Sequence, residues 1–124
     1  MSTLLSVENL SFSWPNREVL QNLNIEIKSN ELVSILGVNG AGKTTLLKCV
    51  NRILKPSAGR VSLLAQDLST MQTIDVAQRI AYVPQSVSTN FPMEVYDVVL
   101  LGRRPYISWF VRDEDREIVS ESLE

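Results

Sequence analysis

The sequence contains no histidine and a single cysteine, Cys49. No internal disulfide can form, and a zinc site has neither its usual nitrogen ligand nor enough thiolates. A reducing cytoplasm suits such a chain best. Long apolar runs are missing too: Asn, Glu or Lys interrupts each one well before the ~20 residues that a membrane-spanning helix needs. Met1-Ser2-Thr3 opens no signal peptide, because no basic region leads into an apolar core. The chain therefore reads as neither secreted nor membrane-spanning by itself. Charge of one sign is not in excess, with 12 Lys and Arg against 14 Asp and Glu for a net charge of -2. The two signs are mixed along the chain, so no basic footprint for nucleic acid stands out. What remains is ordinary: 124 residues, 44% hydrophobic and 21% charged, enough for one modest core. Neither an internal repeat nor a low-complexity segment is visible.

Apolar residues alternate with Ser11 and Ser13 from Leu10 to Trp14, and with Asn24 and Glu26 from Leu23 to Ile27. That is the period of half-buried antiparallel strands. Leu32 to Leu36 is instead nearly continuous, the pattern of a strand buried on both faces, and it ends in a glycine-rich loop. Leu46, Leu47, Val50, Ile53 and Leu54 then recur at helical spacing, and Lys55-Pro56-Ser57-Ala58-Gly59 supplies a stop and a turn. The pattern predicts strands over Val61 to Leu64 and Ile80 to Val83, with a short helix from an N-cap at Thr73 through Arg79. Past Pro84, a polar loop over 86–90 leads to an apolar helix over Val95 to Leu101, stopped by Gly102, and an acidic helix over Asp113 to Leu123. The polar stretch near Ser86 is the expected boundary between a sheet-based core and a helical appendage.

Gly37-Val38-Asn39-Gly40-Ala41-Gly42-Lys43-Thr44 matches glycine, four residues, glycine, lysine, then Ser or Thr, set between an expected strand and a helix. A chance match in a chain of this length has a probability on the order of 0.5% at average residue usage. Glycines here let the backbone wrap phosphates with positive φ, so that successive N–H groups turn inward as an anion nest. The helix starting near Gly42 adds the positive end of its dipole, and Lys43 reaches the β- and γ-phosphates as a point charge. The Thr44 hydroxyl is an oxygen ligand for Mg²⁺, and Thr45 is a candidate α-phosphate donor. This reading assigns Gly37, Asn39, Gly40, Ala41, Gly42, Lys43, Thr44 and Thr45 to Mg·ATP; the bland alternative is a tight turn with an incidental lysine.

With that loop in place, the chain resembles the N-terminal half of an ABC transporter ATP-binding subunit along essentially its whole length. The resemblance implies an α/β fold: a P-loop NTPase core of the ABC type with an antiparallel β subdomain and the start of a helical subdomain, the C-terminal half of the domain being absent. It divides the chain into a nucleotide-binding core over 1–85 and a helical beginning over 86–124. It also implies that Trp14, in Phe12-Ser13-Trp14-Pro15, stacks on adenine where the family usually has tyrosine; a core or edge aromatic is the plainer alternative. Gln85, after Ile80-Ala81-Tyr82-Val83-Pro84, resembles the family's glutamine loop, whose side chain contacts Mg²⁺ and the attacking water. An amide suits orienting water better than taking its proton. Gly102-Arg103-Arg104-Pro105-Tyr106 and the acidic segment from Asp113 to Val119 are similar to importers of iron-siderophore complexes, haem or vitamin B12, although by chemistry alone they read as a helix stop and a solvated helix.

The same resemblance implies a membrane-spanning permease partner, a homodimer in the full-length family, and a place in the cytoplasm against the inner face of the membrane. The family's signature motif, second acidic strand, aspartate loop and switch histidine do not occur in these 124 residues. Without the water-activating carboxylate, the chain is expected to bind Mg·ATP and to hydrolyse it negligibly. The expected parallel sheet would also lack the strands that flank the one before the loop, leaving apolar edges open. Two other readings stand beside this one. One is a non-catalytic nucleotide-binding regulatory module that docks on a transporter; the other is a small kinase or GTPase sharing only the phosphate loop, for which the guanine-reading motif is absent.

Overall fold

The computed structural model describes residues 2–87 and 90–124. Ser88 and Thr89, in the expected polar loop, lie outside the described residues, as does Met1. The chain forms two compact units, Met1–Val76 and Ala77–Glu124.

The first unit is built on an antiparallel sheet of four strands in the order β2-β1-β3-β4: β1 (Thr3–Trp14), β2 (Arg17–Lys28), β3 (Ala58–Leu63) and β4 (Gln66–Asp67). β1 and β2 form a hairpin closed by Pro15 and Asn16, with Trp14 opposite Arg17. Both strands run longer than the alternating pattern suggests, because each contains a bulge that resets its parity. On β1, Leu5 and Val7 are buried, and so are Leu10 and Phe12, one residue out of step. The step falls at Asn9, which has a positive φ of 49°, and a matching one on β2 falls at Asn22, with φ 46°. Asparagine tolerates this left-handed backbone better than most side chains. Side chains complete the bonding: Asn9 N–H donates to Asn24 Oδ1 at 2.9 Å, and Asn22 N–H donates to Ser11 Oγ at 3.0 Å.

β3 crosses beside the β1 bulge, where Gly59 holds φ +81° and a Cβ would lie 2.3 Å from the Asn9 carbonyl oxygen. Only glycine fits that approach. The core of this unit draws Leu5, Val7, Leu10 and Phe12 from β1, Leu20 from β2, Val61 and Leu63 from β3, and Leu46 and Cys49 from α1 (Lys43–Val50). Three residues apart, Leu46 and Cys49 share one helix face. Burial pushes the Cys49 thiol above its ordinary pKa, so it stays protonated and behaves as a small apolar side chain. α1 stops earlier than the periodicity through Leu54 implies: Arg52 turns into the left-handed region at φ 62°, and its guanidinium donates to the Met71 carbonyl.

Two expected strands do not form among the described residues. Residues 31–38 adopt no regular structure, and Leu32 and Leu36 are 98% and 91% exposed. Ile80 to Val83 is likewise unpaired, with Val83 exposed. An apolar run becomes a strand buried on both faces only when strands pair along both of its edges. The described sheet contains β1 to β4 alone and places none of them beside either segment.

α2 (Thr73–Arg79) spans the division between the units. The second unit contains α3 (Val95–Leu101) and α4 (Asp113–Leu123), with the bounds that the sequence pattern predicts, and these two helices contact one another. No helix of the described residues is long and apolar enough to cross a membrane.

Gly59→Ala is expected to destabilise the first unit by at least about 2 kcal/mol, through left-handed strain together with backbone overlap. Urea unfolding followed by far-UV circular dichroism measures it, and a change below about 0.5 kcal/mol would show that the β1–β3 crossing tolerates a side chain.

Candidate functional site

The loop from Gly37 to Thr45 lies wholly in the first unit and turns twice before α1 begins. Val38-Asn39-Gly40-Ala41 forms a β-turn closed by Ala41 N–H donating to Val38 O at 3.1 Å, with Gly40 at φ 84°. That φ at the third turn position is the requirement that selects glycine. Gly42 then caps α1 with φ 99°, where a Cβ would sit 2.7 Å from Val19 Cγ1 and 3.1 Å from Leu20 Cδ2. The start of α1 is therefore seated directly on β2.

No side chain caps that helix start, and its first turn contains no acidic residue. The leading N–H groups of any α-helix have no intrahelical acceptor, so those of Lys43, Thr44 and Thr45 face outward at the positive end of the dipole. The Lys43 ammonium donates to the Gly37 carbonyl and, at 3.2 Å, to the Val38 carbonyl, folding its side chain back over the loop. Asn39, Gly40 and Ala41 are exposed, as is Thr44, while Thr45 is half-buried. Donors without carboxylates, a positive helix end and an ammonium bonded to neutral carbonyls form a set that fits a polyphosphate. Among the described residues, no group of three or more His, Cys, Asp or Glu side chains could hold a metal unaided, so a cation here would need oxygens from its ligand besides Thr44.

Trp14 stands at the tip of the β1–β2 hairpin in the same unit, 48% exposed, its ring edge-on to buried Phe12 with centroids 5.0 Å apart. Gln85 belongs to the second unit, where it occupies an exposed bend outside any helix or strand. The described geometry thus brings the loop residues together, sets Trp14 on the hairpin that supports them, and leaves Gln85 in a separate unit.

Sequence reasoning missed two sets of contacts. Opposite Trp14, Arg17 donates through an Nη to the Gly40 carbonyl at 3.1 Å, joining the hairpin tip to the loop. A two-residue turn at Pro15-Asn16 was the available signal that these two residues face each other; nothing in the sequence signals the reach to Gly40. In the second unit, Arg103 of the Gly102-to-Tyr106 segment pairs with buried Asp115 at 2.9 Å and stacks over the Tyr106 ring at 4.3 Å. Asp115 also accepts from the Arg112 backbone N–H at 3.0 Å, closing the start of α4. Tyr106 in turn donates from its hydroxyl to the Gln78 carbonyl at 2.6 Å. The segment read as a helix stop is a packed clamp, and the acidic helix buries one of its carboxylates.

Comparison with known proteins follows this geometry. Residues 20–124 match the family model described as ABC transporter. An ABC transporter ATP-binding protein of uncharacterised function from Methanocaldococcus jannaschii is 47% identical over 97% of this chain and 47% of its own length. The iron(3+)-hydroxamate import ATP-binding protein of Bacillus subtilis is 37% identical over 97% of this chain and 45% of its own. Among solved structures, an inward-facing transporter provisionally classed as metal-chelate type ABC superposes with a TM-score of 0.76 at 30% identity, covering 99% of this chain and 44% of that one. The chain spans about half the length of the curated relatives it matches.

The backbone N–H of Arg112, and then the Arg103 guanidinium, hold the Asp115 carboxyl below its ordinary pKa against the opposing effect of burial. A depressed folded value means that this carboxylate's contribution to stability is complete above the unfolded value near pH 3.9 and is lost as pH falls through the folded one. Asp115→Asn should remove that component, so that helix content below about pH 4 declines less steeply than in the parent. Superimposable acid titrations by circular dichroism would show that the clamp does not depend on the charge.

Proposed function

This chain belongs to the ABC transporter family, and we propose that it is the N-terminal part of an importer's ATP-binding subunit, holding Mg·ATP by its loop from Gly37 to Thr45. Membership of the ABC transporter family removes the small-kinase and GTPase alternatives; ATP, with Mg²⁺, is the nucleotide proposed. The carrying observation is the uncapped start of α1, seated on β2 behind two left-handed glycines with the Lys43 ammonium folded over the loop.

Each residue has a role in that reading. Gly37, Gly40 and Gly42 allow close backbone approach, Asn39 and Ala41 contribute the turn, and the N–H groups of Lys43, Thr44 and Thr45 bind phosphate oxygens with the helix dipole behind them. Lys43 exchanges its carbonyl partners for phosphate oxygens, a charge-assisted contact roughly twice as strong as a neutral one. Thr44 supplies a hydroxyl oxygen to Mg²⁺, which when bound neutralises phosphate charge. Trp14 offers a half-exposed ring to adenine, and Gln85 offers an amide to Mg²⁺ and to the water that attacks. All of these residues fall in the proposed nucleotide-binding core over 1–85, and 86–124 is proposed to begin the helical subdomain.

The names of relatives that import iron(3+)-hydroxamate, hemin and cobalamin support an importer whose cargo is an iron-siderophore complex, haem or cobalamin. The proposal adds, from the family resemblance, a membrane-spanning permease partner, a homodimer of full-length subunits and a place at the cytoplasmic face of the membrane. Within these 124 residues, no run of four apolar residues is followed directly by an Asp-Glu pair that could activate water. Binding is therefore the activity assigned to this stretch of chain, and turnover is assigned to the longer form.

Calorimetric titration of Mg·ATP into the chain should give saturable binding that weakens at least tenfold in Lys43→Ala, about 1.4 kcal/mol, with phosphate release near the background rate in both. Binding of equal strength in the two proteins would remove the loop from the site, and steady hydrolysis abolished by the substitution would overturn the assignment of binding alone.

A further inference from the structure

We propose that Arg17 is a positioning residue for the phosphate loop, acting through the Gly40 carbonyl and tying the loop's shape to the hairpin that carries Trp14. The inference rests on the nucleotide-binding reading above and adds a residue that the phosphate-loop pattern does not contain.

The carbonyl that Arg17 meets belongs to the peptide joining Gly40 to Ala41. Its N–H closes the turn by donating to Val38 O at 3.1 Å, and its carbonyl accepts from Arg17 at 3.1 Å. Both polar groups of one peptide plane are thus held from opposite sides. Packing does not hold Gly40: its φ is +84°, and nothing would lie within 4 Å of an added Cβ, so its conformation depends on these hydrogen bonds. Gly42, two residues on, is fixed instead by Val19 and Leu20. Between these two points lies the Ala41-Gly42 peptide that aims the first N–H groups of α1. A glycine with open space around it samples both signs of φ, and each inverted state removes a donor from the nest. Arg17 selects one state with a charge-assisted bond to the Gly40 carbonyl. Its positive charge also lies next to a loop that gathers negative charge, without being one of the loop's own donors.

Geometry adds the second half of the inference. Arg17 is the cross-strand partner of Trp14, and Pro15 with Asn16 is all that separates them. A shift of the hairpin tip moves the Trp14 ring and the Arg17 anchor as one body. Phosphate and base ends of a nucleotide would then be recognised by elements whose spacing is set by a single two-residue turn.

Mg·ATP and Mg·tripolyphosphate, titrated separately into the parent, Arg17→Ala, Arg17→Lys and Lys43→Ala, test this. Arg17→Ala should weaken both ligands by a similar factor of about five to ten, since tripolyphosphate carries the phosphates without the base, and Arg17→Lys, which still donates to a carbonyl, should recover most of the loss. Exchange of the Gly40 to Gly42 amides with deuterium in the ligand-free protein should rise in Arg17→Ala and return in Arg17→Lys. Unchanged affinities in Arg17→Ala would overturn the proposal, as would a loss confined to Mg·ATP, which would place Arg17 on the base side. A parent that binds neither ligand, indistinguishable from Lys43→Ala, would instead overturn the functional reading together with the inference that rests on it.

Discussion

The missing side chain at Gly42 is the constraint on which the site depends. Its Cα rests on Val19 and Leu20 of β2, where a methyl group would overlap Val19 at 2.7 Å. Because Leu20 is a core residue of the sheet, the helix start is referenced to that core rather than to the loop before it. Everything the loop offers a ligand follows from that seat. The dipole of α1 points where β2 directs it, Leu46 and Cys49 are delivered to the core one turn later, and Lys43 leaves the helix on the side from which it covers Gly37 and Val38.

A second dependence runs through the sheet. The bulges at Asn9 and Asn22 let one hairpin bury Leu5 and Val7 as well as Leu10 and Phe12, which a regular strand could not do on one face. β3 can cross the β1 bulge only at Gly59, so three residues of low steric demand set the register of the platform under the loop. Side-chain bonds from Asn24 and Ser11 hold the irregular backbone where ladder bonds are lost. Polar residues that read as the wet half of an alternating pattern are in part the internal ties of the bulges.

Features governed by neighbours in sequence were legible in advance. The phosphate loop, the helix after it, and the bounds of α3 and α4 follow from turn chemistry, caps and period, each of which acts over a few residues. Features governed by distant partners were not. Leu32 to Leu36 and Ile80 to Val83 have the composition of buried strands, but composition states only what a segment could bury. Whether it becomes a strand depends on neighbours that the described sheet does not place beside it. The α4 carboxylates show the same limit: Asp113, Glu114 and Asp115 are equivalent in sequence, and only the packing of Arg103 over Tyr106 marks Asp115 as the buried one. Arg17 reaches across 23 positions to Gly40, and no local rule carries that distance.

The loop is anchored unequally at its two ends, and this bears on how a ligand would act on it. Downstream, Gly42 is packed on β2 and Gly40 is bonded to Arg17. Upstream, residues 31–38 lie exposed and outside any strand, with Lys43 reaching back to the carbonyls of Gly37 and Val38. A polyphosphate that draws the Lys43 ammonium onto itself releases those carbonyls, and with them a restraint on the upstream side. The same ligand draws the upstream N–H groups toward itself. Any rearrangement of the segment before the loop on binding would cost part of the binding free energy, and the observed affinity would then be lower than the contacts alone would give. Pairing of Leu32 to Leu36 with flanking strands would remove that cost beforehand. Burial of the apolar run and occupation of the proposed phosphate site would in that case be coupled through the backbone of Gly37.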